Sequence, residues 1–430
     1  MSTRRPAPSS PEPPAVSASQ GTAPPGPTAT GAADSAGQGI PTRGTASHSG
    51  PSAGISLLWP PGRAPSPGRP RLDWDTSGDL DLTDVIRALT NGDRNREALA
   101  AGLLCELCTD PEVIRYRQDT LADLLDDSRL RAALHDLAPG LALLSQGPGP
   151  RTRHAWSIAH IAFRLEQLER YVEIAIRLRQ VVADAPVSAP SLLALRAHLD
   201  TVTTAPQFQA LQAELPSLRA VLARVGSITI GINLTRDLLP EGATILSLSA
   251  DKVAGKAPLL ERLLGRGAAG RALGPLFDVD VANAENPLFR DLRKLLEAVV
   301  APVADALGRY AEVNVAGLSA LEPEIVFLLN AVAVLERLAG AGLPVCRPEI
   351  APKDERVTIL DEGYNVSLAL RVIGGQAPAA DAPGGVVTNA ITFDGTQGRV
   401  WILTGPNRGG KTTYTRAVGI AQVLFQAGLH

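Results

Sequence analysis

The sequence predicts a mainly α-helical body that gives way, after about residue 345, to the front part of an α/β domain, with a disordered tail ahead of both. Three observations carry that expectation. Residues 1–70 are built from Pro, Ser, Gly, Ala and Thr with almost no large apolar side chains. From about residue 80 to 345, apolar residues recur at helical spacing. Past Pro344 they gather into short strand-length runs, the last of which leads directly into a glycine-rich loop.

The tail cannot bury enough apolar surface to offset its conformational entropy. Its one exception is Ile55-Ser56-Leu57-Leu58-Trp59-Pro60, a short apolar patch suited to docking on the folded body. The segment Asp73 to Asp84 then imitates a calcium loop, with oxygen-bearing side chains at alternate positions and Gly78 at the sixth. The Pro-rich stretch before it cannot supply the entering helix, so an acidic linker is the simpler expectation.

The body, residues 71–345, is expected to be a helical core and lever. Asp110-Pro111-Glu112 is a helix start: Asp caps, Pro takes the first position, and Glu meets the positive end of the dipole. Ile114, Leu121, Leu124 and Leu125 continue it. Residues 154–182 repeat the pattern through Ile158, Ile161, Leu165, Leu168, Val172 and Ile176, and 287–310 and 322–339 follow suit. Arginines at 151, 153, 164, 170, 177 and 179 interleave with Glu166, Glu169 and Glu173, the pattern of a solvated helix face laced with ion pairs. Cys105 and Cys108 form a lone C-x-x-C in a Leu-rich helix, which without a second pair reads as core thiols. Period-two alternation over 227–234 and 244–249, around Pro240-Glu241-Gly242, predicts a β-hairpin inserted near 227–250 with its turn at those three residues.

In residues 346–430, strands are expected at 357–360, 366–372 and 386–387, with a Pro/Ala/Gly loop over 377–385. Val400-Trp401-Ile402-Leu403-Thr404 has the composition of a buried strand, and a helix is expected from Lys411 to about Ala427. Net charge is -3, which gives no chain-wide bias toward nucleic acid or membrane. No apolar run is expected to reach the length that spans a bilayer. Three sparse cysteines, Cys105, Cys108 and Cys346, argue for a reducing compartment, and no apolar stretch follows Arg4 and Arg5 to make a secretory signal. The expected location is the cytoplasm.

The glycine loop carries the chemistry. Residues Gly405-Pro406-Asn407-Arg408-Gly409-Gly410-Lys411-Thr412 meet the full G-x-x-x-x-G-K-[ST] pattern, with strand before and helix after. Glycines let the backbone curl so that successive N–H groups face phosphate oxygens. The helix that starts there adds its positive end. Lys411 is placed for the β- and γ-phosphates, Thr412 for Mg²⁺, and Thr413 for a further phosphate contact. The expected cofactors are ATP and Mg²⁺.

The letters of the loop resemble those of the MutS family of DNA mismatch-repair ATPases. Gly-Pro-Asn and the Gly-Lys-Thr-Thr core are shared with the wider ABC class, whereas the Gly409-Gly410 pair, Tyr414 and Arg416 favour MutS, as does the long helical region ahead of the loop. Arg347-Pro348-Glu349-Ile350 looks like the Arg-Pro start of the MutS ATPase domain, and Glu362-Gly363-Tyr364-Asn365 sits where the family has a Gly-Arg-His-Pro-like turn. The resemblance implies that residues 346–430 are the front of a P-loop, ABC-type ATPase domain. It also implies that Val386, Val387 and Asn389 lie beside the adenine, and that the partners are DNA and, where the full ATPase domain is present, a second copy of the chain. No membrane partner is expected. Val386 stands where the family stacks an aromatic. None of the seven Phe has Glu two residues later, so the family's Phe-x-Glu mismatch wedge is missing. The remaining catalytic motifs of the family would lie downstream of His430, and the catalytic residues stay unassigned. The function implied is ATP and DNA binding in mismatch repair or recombination, without direct mismatch sensing. The alternatives are another ABC-class ATPase, of chromosome maintenance or transport, or a non-catalytic helical binding module.

Overall fold

A computed structural model of the chain describes residues 55–63, 71–72, 74–145, 158–224, 226–237, 240–251, 287–310, 313, 315–375, 385–396, 398 and 400–430. The tail expected to be disordered lies outside the described residues except for 55–63, and so do Arg151, Arg153 and the loop expected over 377–384.

The body is helical. In chain order, α1 is Trp74–Asp79, α2 Leu82–Leu89, α3 Glu97–Cys105, α4 Pro111–Asp126, α5 Ser128–Ser145, α6 Ile158–Asp184, α7 Pro190–Thr204 and α8 Pro206–Ala223. After a hairpin come α9 (Pro287–Arg309), α10 (Val315–Ser319) and α11 (Leu321–Gly340). Local sequence starts these helices. The Asp110 side chain accepts from Glu112 N at 3.0 Å with Pro111 at the first position. Asp127 takes the amides of Arg129 and Leu130 at 2.9 and 3.0 Å, and α7 and α8 both begin on Pro.

Packing follows the apolar spacing. On α11, Leu321, Ile325, Leu328, Val332 and Leu335 are buried, and on α6 so are Ile161, Leu165, Leu168, Val172 and Ala175. Both series step by four and three residues, which keeps one stripe against the neighbouring helices. α5 packs on both α6 and α11, and one continuous core cluster runs from Leu57 to Leu429. Each fully buried Leu contributes about 1.5–3 kcal/mol, so these stripes hold the body together. The stretch Val315–Gly340 is, by length and composition, apolar enough to cross a bilayer, which corrects the expectation that no run is; half of its most apolar window is buried here, as in a core helix.

The hairpin forms as expected, β1 (Ser227–Leu234) antiparallel to β2 (Pro240–Ser249), but Pro240 to Gly242 belong to β2, with Pro240 opposite Leu234 and Gly242 opposite Asn233, rather than making the turn. The acidic 74–79 segment is a helix, not a linker. Helix α3 ends at Cys105, so the buried Cys108 lies beyond it, with Cys105 half-buried and Cys346 exposed.

Past residue 345 the described strands are few. β3 (Thr358–Gly363) pairs antiparallel with β4 (Asn389–Phe393). The strand expected over 366–372 is instead α12, Val366–Ile373. Its period-two apolar pattern is overridden because Asn365 caps the helix, accepting from Leu368 N at 2.9 Å, and because Ser367, Ala369 and Leu370 bury against α2. Val386 and Val387 precede β4 rather than forming a strand. The expected buried strand at 400–404 is irregular and exposed, with Val400 84% and Ile402 88% accessible. A buried strand needs neighbours for its N–H and C=O groups, and among the described residues none pairs with this stretch; Trp401 only leans on Phe393, ring centroids 5.5 Å apart. The last helix, α13 (Lys411–Ala427), lies where the sequence predicts it.

Candidate functional site

The loop ahead of α13 is shaped by its own residues. Gly410 has φ 81 and no atom within 4 Å of where a Cβ would stand, and Arg408 also adopts a left-handed φ of 66. Gly409 N bonds Pro406 O at 3.2 Å, and a Cβ on Gly409 would come 3.1 Å from that same carbonyl oxygen. These constraints make the turn between Pro406 and Gly410 a job for glycine. Gly410 caps α13, and Tyr414 N closes the first helical bond to Gly410 O at 2.9 Å. The amides that open a helix have no partner within it, so they face outward as donors at its positive end.

Lys411 folds back over the loop. Its Nζ donates to the carbonyls of Gly405 and Pro406, both at 2.7 Å. The ammonium therefore sits at the mouth of the loop. Residues 405–410, Thr412 and Thr413 are all exposed to solvent. The arrangement is an open ring of backbone with the Lys411 ammonium, helix-start donors and two hydroxyls, which is chemistry for an anion.

Other expected site residues are only loosely gathered. Val386 is half-buried against the core, Val387 is 70% exposed, and Asn389 is exposed with its amide 3.4 Å from Val387 O. Tyr414 Oη reaches Ala390 O at 3.3 Å, so the first turn of α13 touches β4 next to Asn389.

Sequence reasoning did not foresee how α13 is held. Arg416 Nε donates to Asp79 O at 2.6 Å and its other end pairs with Asp81, which also meets Arg371 of α12 at 3.5 Å. Asp84 takes Arg87 at 3.0 Å and Arg371 at 3.5 Å. The carboxylates of the calcium-like stretch thus clamp arginines. Farther along α13, a Cβ on Gly419 would press on Leu80, and one on Gly428 would come 2.4 Å from Arg117 Cβ on α4. Over 300 residues separate Asp81 from Arg416, and no local pattern announces such a pair.

The fold is thus of a class in which a long-helix body carries a glycine loop and its helix, bolted to it at Asp81, Leu80 and Arg117. The comparisons specify the family. The description "MutS2 N-terminal domain" fits residues 109–341, more than half of the 430-residue chain. The chain is 27% identical over 429 residues to the DNA mismatch repair protein MutS of Azorhizobium caulinodans, covering 86% of this chain and 43% of that protein. It is 26% identical over 388 residues to MutS of Rhizobium meliloti, covering 81% and 40%, and 30% identical over 149 residues to MSH2 of Zea mays, covering 33% and 14%. The chain belongs to the MutS family, and it spans less than half the length of these curated relatives.

Proposed function

We propose that the chain binds ATP with Mg²⁺ at residues 405–413 and couples nucleotide binding to engagement of DNA in mismatch repair or recombination. The observation that carries the reading is the Lys411 ammonium held over the loop by the Gly405 and Pro406 carbonyls, at the start of a 17-residue helix. The residues suit the group: the loop is open, its glycines leave the backbone accessible, and the surrounding donors favour phosphate. Lys411 would exchange its two carbonyl partners for phosphate oxygens, Gly410, Thr412 and Thr413 would offer donors beside the turn that Gly409 closes, and the exposed Thr412 hydroxyl would face Mg²⁺. Bound Mg²⁺ supplies charge neutralisation between the phosphates. Val386, Val387 and Asn389, close to α13 through the Tyr414 contact, would line the base.

On this reading residues 346–430 are the front of a P-loop, ABC-type ATPase domain behind the helical core of residues 71–345. The names of the relatives support a role in DNA mismatch repair. DNA, a second copy of the chain and a cytoplasmic location complete the proposal, the last supported by three free thiols.

The test is titration of a fluorescent ATP analogue against the unaltered chain and Lys411→Ala. The substitution removes the cation at the loop mouth and is expected to weaken binding by about a hundredfold or more, in line with a charge-assisted contact of a few kcal/mol. Unchanged affinity would overturn the assignment.

A further inference from the structure

Residues 55–60 are not an ordinary piece of the core. They form no helix and no strand, yet Leu57, Leu58 and Trp59 are buried. Backbone buried without regular structure must find partners elsewhere, and here side chains of α4 and α11 provide them. Tyr116 Oη donates to Ser56 O at 2.9 Å and Arg117 Nε donates to Leu58 O at 3.0 Å. Thr120 Oγ1 lies 3.4 Å from Leu57 O but is closer to Tyr116 O, at 2.7 Å, and to the Ser191 hydroxyl, at 2.5 Å. From α11, Glu324 accepts the Leu57 amide at 2.6 Å, and the Ser56 hydroxyl lies 2.8 and 3.0 Å from its two carboxylate oxygens. The same hydroxyl accepts from the amides of Leu58 and Trp59 at 3.1 and 3.0 Å. The Arg117 guanidinium carbon stands 4.1 Å over the Trp59 ring, and Arg63 pairs with Asp110 and Glu112 at the start of α4.

Side chains reading the backbone of an extended segment, with pockets for its apolar residues, is the way a groove recognises a peptide. We propose that the groove between α4 and α11 is a peptide-recognition site whose resident ligand is the chain's own residues 55–60, and whose chemistry selects a linear Ser-Leu-Leu-Trp peptide. Glu324 reads the serine hydroxyl and the next amide. Tyr116 and Arg117 read the carbonyls of Ser56 and Leu58. The buried space takes both leucines, and the Arg117 plane takes the tryptophan. The ligand is tethered to the body it docks on, which gives it an effective concentration on the order of millimolar and keeps the groove filled.

The inference stands apart from nucleotide binding and is tested without it. A dye-labelled synthetic peptide of residues 54–63 is titrated by fluorescence anisotropy onto the full chain and onto the full-chain variant Leu57→Ala/Leu58→Ala, whose own segment has lost its apolar hold. The variant is expected to bind the peptide about a hundredfold more tightly than the unaltered chain does. A scrambled peptide should not bind, and a peptide with alanine for the serine should bind about tenfold more weakly. No binding by a variant of native helix content, or equal binding of the scrambled peptide, would overturn the proposal. Should that variant misfold, a protease site placed between residues 63 and 71 of the full chain serves instead. After cleavage the N-terminal piece is expected to co-elute with the body and to leave when excess peptide is added. Failure of excess peptide to displace it, or its loss without any peptide, would count against a recognition site.

Discussion

Arg117 shows how much one side chain can organise. It is buried on α4, bonds Leu58 O at 3.0 Å, covers the Trp59 ring, and abuts Gly428 at the end of α13. A cation there joins the docked segment to the helix that carries the glycine loop. Its neighbours Tyr116 and Glu324 respond to the same enclosure. Burial pushes the Glu324 carboxyl above the usual carboxylate range, although the amide of Leu57 and the hydroxyl of Ser56 pull the other way. Burial, with the nearby Glu324 charge, raises the Tyr116 hydroxyl from 10.0 to about 12. The folded protein therefore holds this proton over an interval in which the unfolded chain has released it. The contribution of the neutral phenol to stability is intact below the unfolded value and is lost as pH rises from about 10 to about 12. The loss amounts to about 2–3 kcal/mol. Urea unfolding followed across that range should show Tyr116→Phe losing less stability than the unaltered chain by about that amount. Parallel pH profiles for the two proteins would refute the attribution.

At the scale of elements, α12 is the instructive one. Val366, Leu368, Leu370 and Val372 alternate like a strand, and β propensity is a weak guide when tertiary context competes. Asn365, itself buried, caps the helix through Leu368 N, the Ser367 hydroxyl bonds Asp81 O at 2.8 Å, and Arg371 reaches Asp81 and Asp84. The Asp81 and Asp84 contacts come from residues nearly 300 positions away, whereas the Asn365 cap is local, so the choice of helix was written only in part nearby. Asn365→Ala is expected to cost about 1 kcal/mol, measured as a lower denaturation midpoint with an unchanged denaturant slope. A midpoint that does not move would mean that packing against α2 alone holds the helix. The glycine loop and α13 are the opposite case. There the glycines, the lysine and the apolar helix are contiguous, and their local geometry follows from adjacent residues. The 400–404 run has strand composition and no described strand beside it, so its pattern alone could not bury it.

At the scale of the molecule, the chain couples a helical body of MutS type to a loop-bearing helix through the pairs Asp81–Arg416 and Arg117–Gly428. On the proposed function, this chain, in which no Phe is followed two residues later by Glu, is expected to bind matched and mismatched duplex with equal affinity. A mobility shift at several salt concentrations checks this: affinity should fall as salt rises, as phosphate contacts require, and by the same factor for both duplexes. A preference for the mismatch would show that another element senses it. The sequence by itself determined the helices with caps and periodic apolar faces, the hairpin, the glycine loop and the family, because each is a short-range pattern of adjacent side chains. Only the tertiary structure decided that 366–373 is helical, that 400–404 lies exposed, that the acidic stretch clamps arginines, and that residues 55–60 sit in a groove made by α4 and α11. Those outcomes depend on which distant groups satisfy a charge, an amide or an apolar face, and spacing along the chain does not record that.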